Sequence, residues 1–161
     1  MPIELFEKFI KDHNLDITTI KSEISTKTAQ QAADAHGVPV CNIVKSLVVK
    51  TDNEFLIVLC PGNKKLDFEK LEKILNKKEI RMANANEVKE NTGHSVGGVP
   101  PFGHKNPLKT IILNGFESNE FLWAAAGAAN NNFKTTLSEL KNILKQNNLF
   151  YHENCSRDNI L

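Results

Sequence analysis

A chain of 161 residues with 40% hydrophobic and 24% charged residues has the makeup of one globular domain, long enough to bury a real core. Its formal net charge of +1 argues against a protein that coats nucleic acid nonspecifically, because that binding is driven by phosphate neutralisation. No apolar run approaches bilayer-spanning length, and the amphipathic, acid-bearing first residues do not resemble a signal peptide, so the expected location is the cytoplasm.

Ile3, Phe6, Phe9 and Ile10 recur at helical spacing and predict a first amphipathic helix that fades near Asn14. Thr26 or Thr28 caps a second helix over residues 29–35, ended by Gly37 and Pro39. Residues 43–50 and 54–60 read as two strands joined by Thr51-Asp52-Asn53 into a hairpin. Asp67 caps a helix to about Leu75, residues 80–83 form a short strand, and Asn84 opens a brief helix to Glu90. A glycine-rich loop follows, then a strand over 109–113 and a turn at Asn114-Gly115. Residues 121–126 are a strand or buried segment stopped by Gly127. Residues 133–137 are a final strand, and Ser138 caps a helix over 139–146. The tail from Asn147 is polar, with Leu149, Phe150 and Tyr151 as candidate anchors. With no internal repeat and no linker, this order predicts a single α+β domain over 1–161, a mixed, largely antiparallel curved sheet flanked by helices.

Four features bear on chemistry. Thr92 to His104 holds four glycines, the adjacent Pro100 and Pro101, two histidines and two hydroxyls. It reads either as a tight structural connection or as a rigid loop presenting peptide groups to a ligand. Strand alternation places Lys45 on one face with Ile43, Leu47 and Val49, while Val44, Ser46, Val48 and Lys50 take the other. A lysine there either snorkels to water or projects into a pocket, where it would hold a carbonyl, carboxylate or phosphate. Cys41, Cys60 and Cys155 are odd in number and have no metal-ligand spacing; Cys41 and Cys60 border apolar runs and read as packing residues. Lys64-Lys65, Lys77-Lys78 and Lys105 with Lys109 are surface pairs or local contacts to a nucleic-acid end.

The lysine in Asn42-Ile43-Val44-Lys45-Ser46-Leu47, the Thr92-Gly93 and Gly97–Gly103 loop, and Ala124-Ala125-Ala126-Gly127 stand in an order that resembles the YbaK family. Its members are free-standing relatives of the editing domain inserted in bacterial prolyl-tRNA synthetases. The resemblance covers roughly residues 25–145 and omits the N-terminal helix and the tail. It implies a trans-editing deacylase that hydrolyses the ester of a misacylated tRNA, alanyl- or cysteinyl-tRNA for proline being the best-known targets. It carries the family's functional lysine onto Lys45 and the wall of the aminoacyl pocket onto Gly97 through Pro101. Two departures stand out: Pro100 where relatives often have serine, and Asn114 where many have an acidic residue.

The chemistry suits the residues. An aminoacyl ester is already activated, so its hydrolysis needs a positioned water, a held carbonyl and a selective pocket more than strong acid–base power. Lys45 is the expected catalytic side chain. Substrate contacts are expected at Thr92, His94, Gly97, Gly98, Val99, Pro100, Pro101 and Gly127, with amides of Gly97, Gly98 or Val99 facing the developing oxyanion. His94 and His104 are the obvious alternative bases, whereas His13, His36 and His152 read as surface residues. Phe102 reads as core or as a stacking partner for a base, and the Thr92 and Ser95 hydroxyls as bonded within the loop. The expected partners are a tRNA acceptor end and a synthetase that delivers it, with no metal or organic cofactor. Two other readings stay open: a noncatalytic sensor of aminoacyl-tRNA or amino acid, and a hydrolase of another small acyl ester.

Overall fold

A computed structural model of the chain describes residues 2–116, 120–146 and 151–152, the side chains of 146, 151 and 152 excepted. Helix α1 (Pro2–Asp12) buries Phe6 completely. Strand β1 (Thr19–Lys21) follows; its three residues are too few to show alternation in sequence. Helix α2 (Ala29–His36) is opened by Thr28, which accepts from the Gln31 N–H while the Gln31 side chain accepts from the Thr28 N–H. This reciprocal pair satisfies two amides that the first turn leaves free. Thr26 instead donates its hydroxyl to the Ala129 carbonyl at 3.0 Å.

A 3-10 turn at Val40–Asn42 leads into β2 (Ile43–Lys50), which forms the expected antiparallel hairpin with β3 (Phe55–Pro61). Helix α3 (Phe68–Leu75) starts at the Asp67 cap; strand β4 (Arg81–Met82) and helix α4 (Ala85–Thr92), capped by Asn84, come next. Arg81 grips Glu87 with both nitrogens, at 2.8 and 3.0 Å, tying β4 to α4. That hydrogen bond, joined by the Asn84 amide, lowers the Glu87 carboxyl to about 2. Strands β5 (Lys109–Ile112), β6 (Phe121–Ala128) and β7 (Asn131–Thr136), helix α5 (Leu137–Gln146) and strand β8 (Tyr151–His152) complete the described elements. The anchors expected at Leu149 and Phe150 lie outside the described residues.

Two boundaries depart from expectation. Gly127 does not stop β6: the strand passes through it to Ala128 by a bulge after Ala125, where ladder pairing with β7 is interrupted. Helix α5 is capped by Thr136, whose hydroxyl accepts from the Glu139 N–H at 3.1 Å, and so starts before Ser138.

Among the described residues the sheet runs β1-β7-β6-β2-β3-β5-β8, with β4 added to β2. The β1/β7, β2/β3, β2/β4 and β6/β7 pairs are antiparallel, whereas β2/β6, β3/β5 and β5/β8 are parallel. Val49, Leu56, Val58 and Cys60 pack beneath α3 through Leu71. Val44, Val48, Ile57 and Leu59 belong to the larger core with Phe6, Phe102 and Phe133. Those three rings stand 5.2–5.6 Å apart, an aromatic cluster that joins α1, the glycine loop and β7.

Candidate functional site

The site begins with a gap in the sheet. On the edge of β2 away from β3, β6 pairs only with Ile43 and Val44, and β4 only with Val49 and Lys50. The Gly62 N–H donates to the Ile43 carbonyl, so the odd-numbered residues of β2 direct their peptide groups toward β3. Ser46 therefore turns its N–H and C=O to the other edge. There the Val48 carbonyl accepts from Ala83 at 2.9 Å, and no strand pairs with Ser46. The Ser46 hydroxyl is buried and has no hydrogen-bond partner among the described residues.

A cavity of about 400 Å³ occupies this gap. Its walls come from β2, the start of α2, β4 and α4, the glycine loop, and strands β6 and β7. Most of the lining is apolar, Val44, Val48, Ala83, Val88, Val99 and Ala124 among it. Among the described residues the charged ones on it are Lys27 and Lys45, with no acidic side chain. Thr28 and Asn132 also face it but are engaged internally, Thr28 by its cap and Asn132 by the Ala124 carbonyl and His36.

Lys45 is half-buried and donates to the backbone carbonyl of Lys64. An ammonium has three protons, so two stay available to a ligand. Across the hairpin from Lys45 lies Cys60, whose thiol is raised by burial against the opposing pull of the Lys45 and Lys64 charges. It stays protonated near neutrality and packs in the core. Cys41 is half-buried, with its thiol 3.3 Å from the Asn42 side-chain oxygen.

Of the residues expected to touch substrate, the cavity wall includes Gly97 and Val99 beside Lys45. Gly97 takes φ +91°, and a Cβ there would come 2.4 Å from Cγ of Lys27, whose stem lies over it. Gly98, Pro100, Pro101, Thr92, His94 and Gly127 are off the wall and build what stands behind it. The Gly98 N–H is committed to the Ser95 carbonyl and its own carbonyl accepts from Gly127, docking the loop on the β6 bulge. The Gly97 and Val99 N–H groups have no hydrogen-bond partner among the described residues. A Cβ on Gly127 would strike the Pro2 carbonyl at 2.8 Å, so α1 packs on the bulge because that residue is glycine.

Thr92 is buried and donates to Val88 at 2.6 Å while accepting from the His94 N–H. The His94 side chain is fully buried and bonds Gly103 at 3.0 Å; His104 bonds Pro100 at 2.7 Å. Each donates from Nε2 to a carbonyl. Burial holds the His94 imidazole below its usual value and lowers His104 to about 4. Both are neutral staples of the loop and lie off the cavity wall; the His94 Nδ1 is buried with no partner among the described residues. None of the lysine pairs singled out in the sequence lines the cavity: Lys77 and Lys109 pair with Glu54. Sequence reasoning missed Lys27, Trp123 and Asn132, which come from three separate elements, and placed His36 at the surface. His36 is half-buried, bonded to Asn132 and stacked on Trp123.

A mixed sheet opened at its centre over an apolar, lysine-bearing cavity, with a glycine loop closing one side, is the YbaK-like editing fold. The chain belongs to the aminoacyl-tRNA editing domain family, whose model matches residues 23–143. The crystal structure of a proposed trans-editing enzyme for prolyl tRNA synthetase superposes with a TM-score of 0.82 at 29% identity, covering 94% of this chain and 95% of that one. Protein YwhH of Bacillus subtilis is 32% identical over 119 residues, 73% of this chain and 75% of that protein. The proline–tRNA ligase of Fervidobacterium nodosum is 38% identical over 105 residues, 59% of this chain and 18% of the ligase. The chain thus spans most of YwhH and less than a fifth of the ligase it matches. Among the described residues, no helix is long and apolar enough to cross a membrane.

Proposed function

We propose that this chain is a trans-editing deacylase that hydrolyses the ester between a noncognate amino acid and tRNA, with alanyl- or cysteinyl-tRNA for proline as its substrate. The observation that carries this reading is the presence of Lys45 and of the unpaired Gly97 and Val99 amides on the wall of one mostly apolar cavity. Among the described residues no acidic side chain lines the site, and an activated ester does not require one. The amides face the carbonyl oxygen as it gains charge, and preorganised donors of this kind are worth about 10²–10³ in rate. Lys45, steadied by the Lys64 carbonyl, holds the reacting carbonyl or the adjoining phosphate. Val99 and Ala124 limit the side chain admitted. A synthetic site for one amino acid rejects a smaller one by only about 1–3 kcal/mol per methylene, so a second small site is needed to remove such errors. Similarity to proline–tRNA ligases supports the choice of tRNA.

The test is release of amino acid from tRNA for proline charged separately with alanine, cysteine and proline, in the cytoplasmic ionic range. Multiple-turnover loss of one noncognate ester, with the prolyl ester spared, is expected. Folded protein that binds these substrates without turnover would contradict a deacylase and leave a sensor.

A further inference from the structure

Trp123 is the one tryptophan of the chain and, among the described residues, the one aromatic side chain on the cavity wall. It is half-buried. His36 covers one face of the indole in a parallel stack, with centroids 3.8 Å apart and planes within 4°. The His36 Nε2 bonds Asn132 at 3.0 Å, and Asn132 is tied to the Ala124 carbonyl, so the backing ring is itself fixed. The indole is braced on one face by His36, packs against the cluster of Ala32, Ala33 and Ile43, and contributes to the cavity wall. At about 400 Å³ the space lies in the range that holds whole drug-sized ligands, far beyond what an alanyl side chain occupies. Lys27 is exposed on the same wall with its stem over Gly97, and its ammonium has no partner among the described residues.

We infer that Trp123 is a stacking platform for an adenine ring, that of the terminal nucleotide of the aminoacyl-tRNA. This rests on the deacylase reading and deepens it: the cavity receives an aminoacyl-adenosine, with the amino acid at the sheet gap and the base on the indole. Every base has a π face that an aromatic ring can hold, and a ring already braced loses little freedom on stacking. Lys27 supplies a cation for the phosphate attached to that nucleoside.

The lone tryptophan makes its fluorescence a direct probe. Adenosine 5′-monophosphate is expected to quench it saturably, and ribose 5-phosphate to leave it unchanged. On the aminoacyl-tRNA that the wild type turns over, Trp123→Leu is expected to lower kcat/KM about 5- to 150-fold, chiefly through KM, and Trp123→Phe to restore most of it. On the methyl ester of the same amino acid, which carries no adenine, Trp123→Leu is expected to change little. Absence of quenching by adenosine 5′-monophosphate overturns the inference, and that experiment needs no variant to fold. Equal losses on the tRNA and methyl esters would reduce Trp123 to a packing wall. Quenching combined with unchanged turnover of aminoacyl-tRNA by Trp123→Leu would assign the platform to a free nucleotide and overturn it too. A wild type that deacylates no aminoacyl-tRNA defeats the deacylase reading, an outcome visible before any Trp123 variant is made.

Discussion

The two halves of the loop from Thr92 to His104 do opposite work. Val96, Gly97 and Val99 border the cavity, and the Gly97 and Val99 amides have no partner among the described residues. Pro100 through Gly103 are buried, with the Phe102 ring packed among Phe6, Phe9 and Phe133 and the two histidines bonded to carbonyls of this same half. The carbonyls of Pro100 and Gly103 are spent on internal bonds, as are both peptide groups of Gly98, whereas the Gly97 and Val99 amides are not. The contrast teaches that a stretch rich in glycine, proline and histidine can look uniformly functional while only part of it lines the cavity. The buried half exists to hold the other still.

The contrast breaks most visibly in stability. Phe102→Ala removes a fully buried ring and is expected to cost about 3–5 kcal/mol in urea unfolding, with the amino-acid preference of the remaining folded protein unchanged. A smaller effect is expected from acid. His104 takes up a proton near pH 6.5 when unfolded but only at about 4 when folded, because burial disfavours its charged form. Between those values the unfolded state binds more protons, so stability falls as pH drops, by roughly 1–3 kcal/mol in full. His94, shifted the same way, adds to it. His104→Asn should flatten this slope; an unchanged slope in denaturation series from pH 7 to 4 would place the titration elsewhere. Selectivity sharpens the comparison at the smallest scale. Val99→Ala enlarges the cavity and is expected to raise the relative rate on larger aminoacyl esters about 10-fold. Pro100→Ala, off the wall, should shift it less than about twofold, measured across a panel of aminoacyl-tRNAs. The family resemblance carried both onto one pocket wall; in the structure Val99 lines the cavity and Pro100 stands behind it.

Much of the scaffold is written in local chemistry. Thr28, Asp67 and Asn84 announce their helices as caps, and the β2/β3 hairpin shows in two apolar runs around Thr51-Asp52-Asn53. Lys45 stands out because a charge inside an apolar strand has few explanations. What stayed hidden is set by partners distant in sequence. The gap beside Ser46 exists because β6 and β4 each pair with only one end of β2, and no local pattern records how far a neighbouring strand extends. Lys27 precedes α2, Trp123 lies on β6 and Asn132 on β7, and they converge only through the sheet order. The bulge at Gly127 was hidden for the same reason: the glycine serves the approach of α1, a segment outside the family match.

The account turns on which side chain the chemistry needs, and one experiment addresses that directly: multiple-turnover deacylation of the preferred aminoacyl-tRNA by wild type, Lys45→Ala and His94→Ala, below the melting temperature of all three. The account predicts a loss on the order of 10²–10³-fold for Lys45→Ala. It also predicts near-wild-type turnover for His94→Ala, whose ring stays inside the loop. Activity lost as fully in folded His94→Ala as in Lys45→Ala would contradict it and move the chemistry to a histidine assigned here to support.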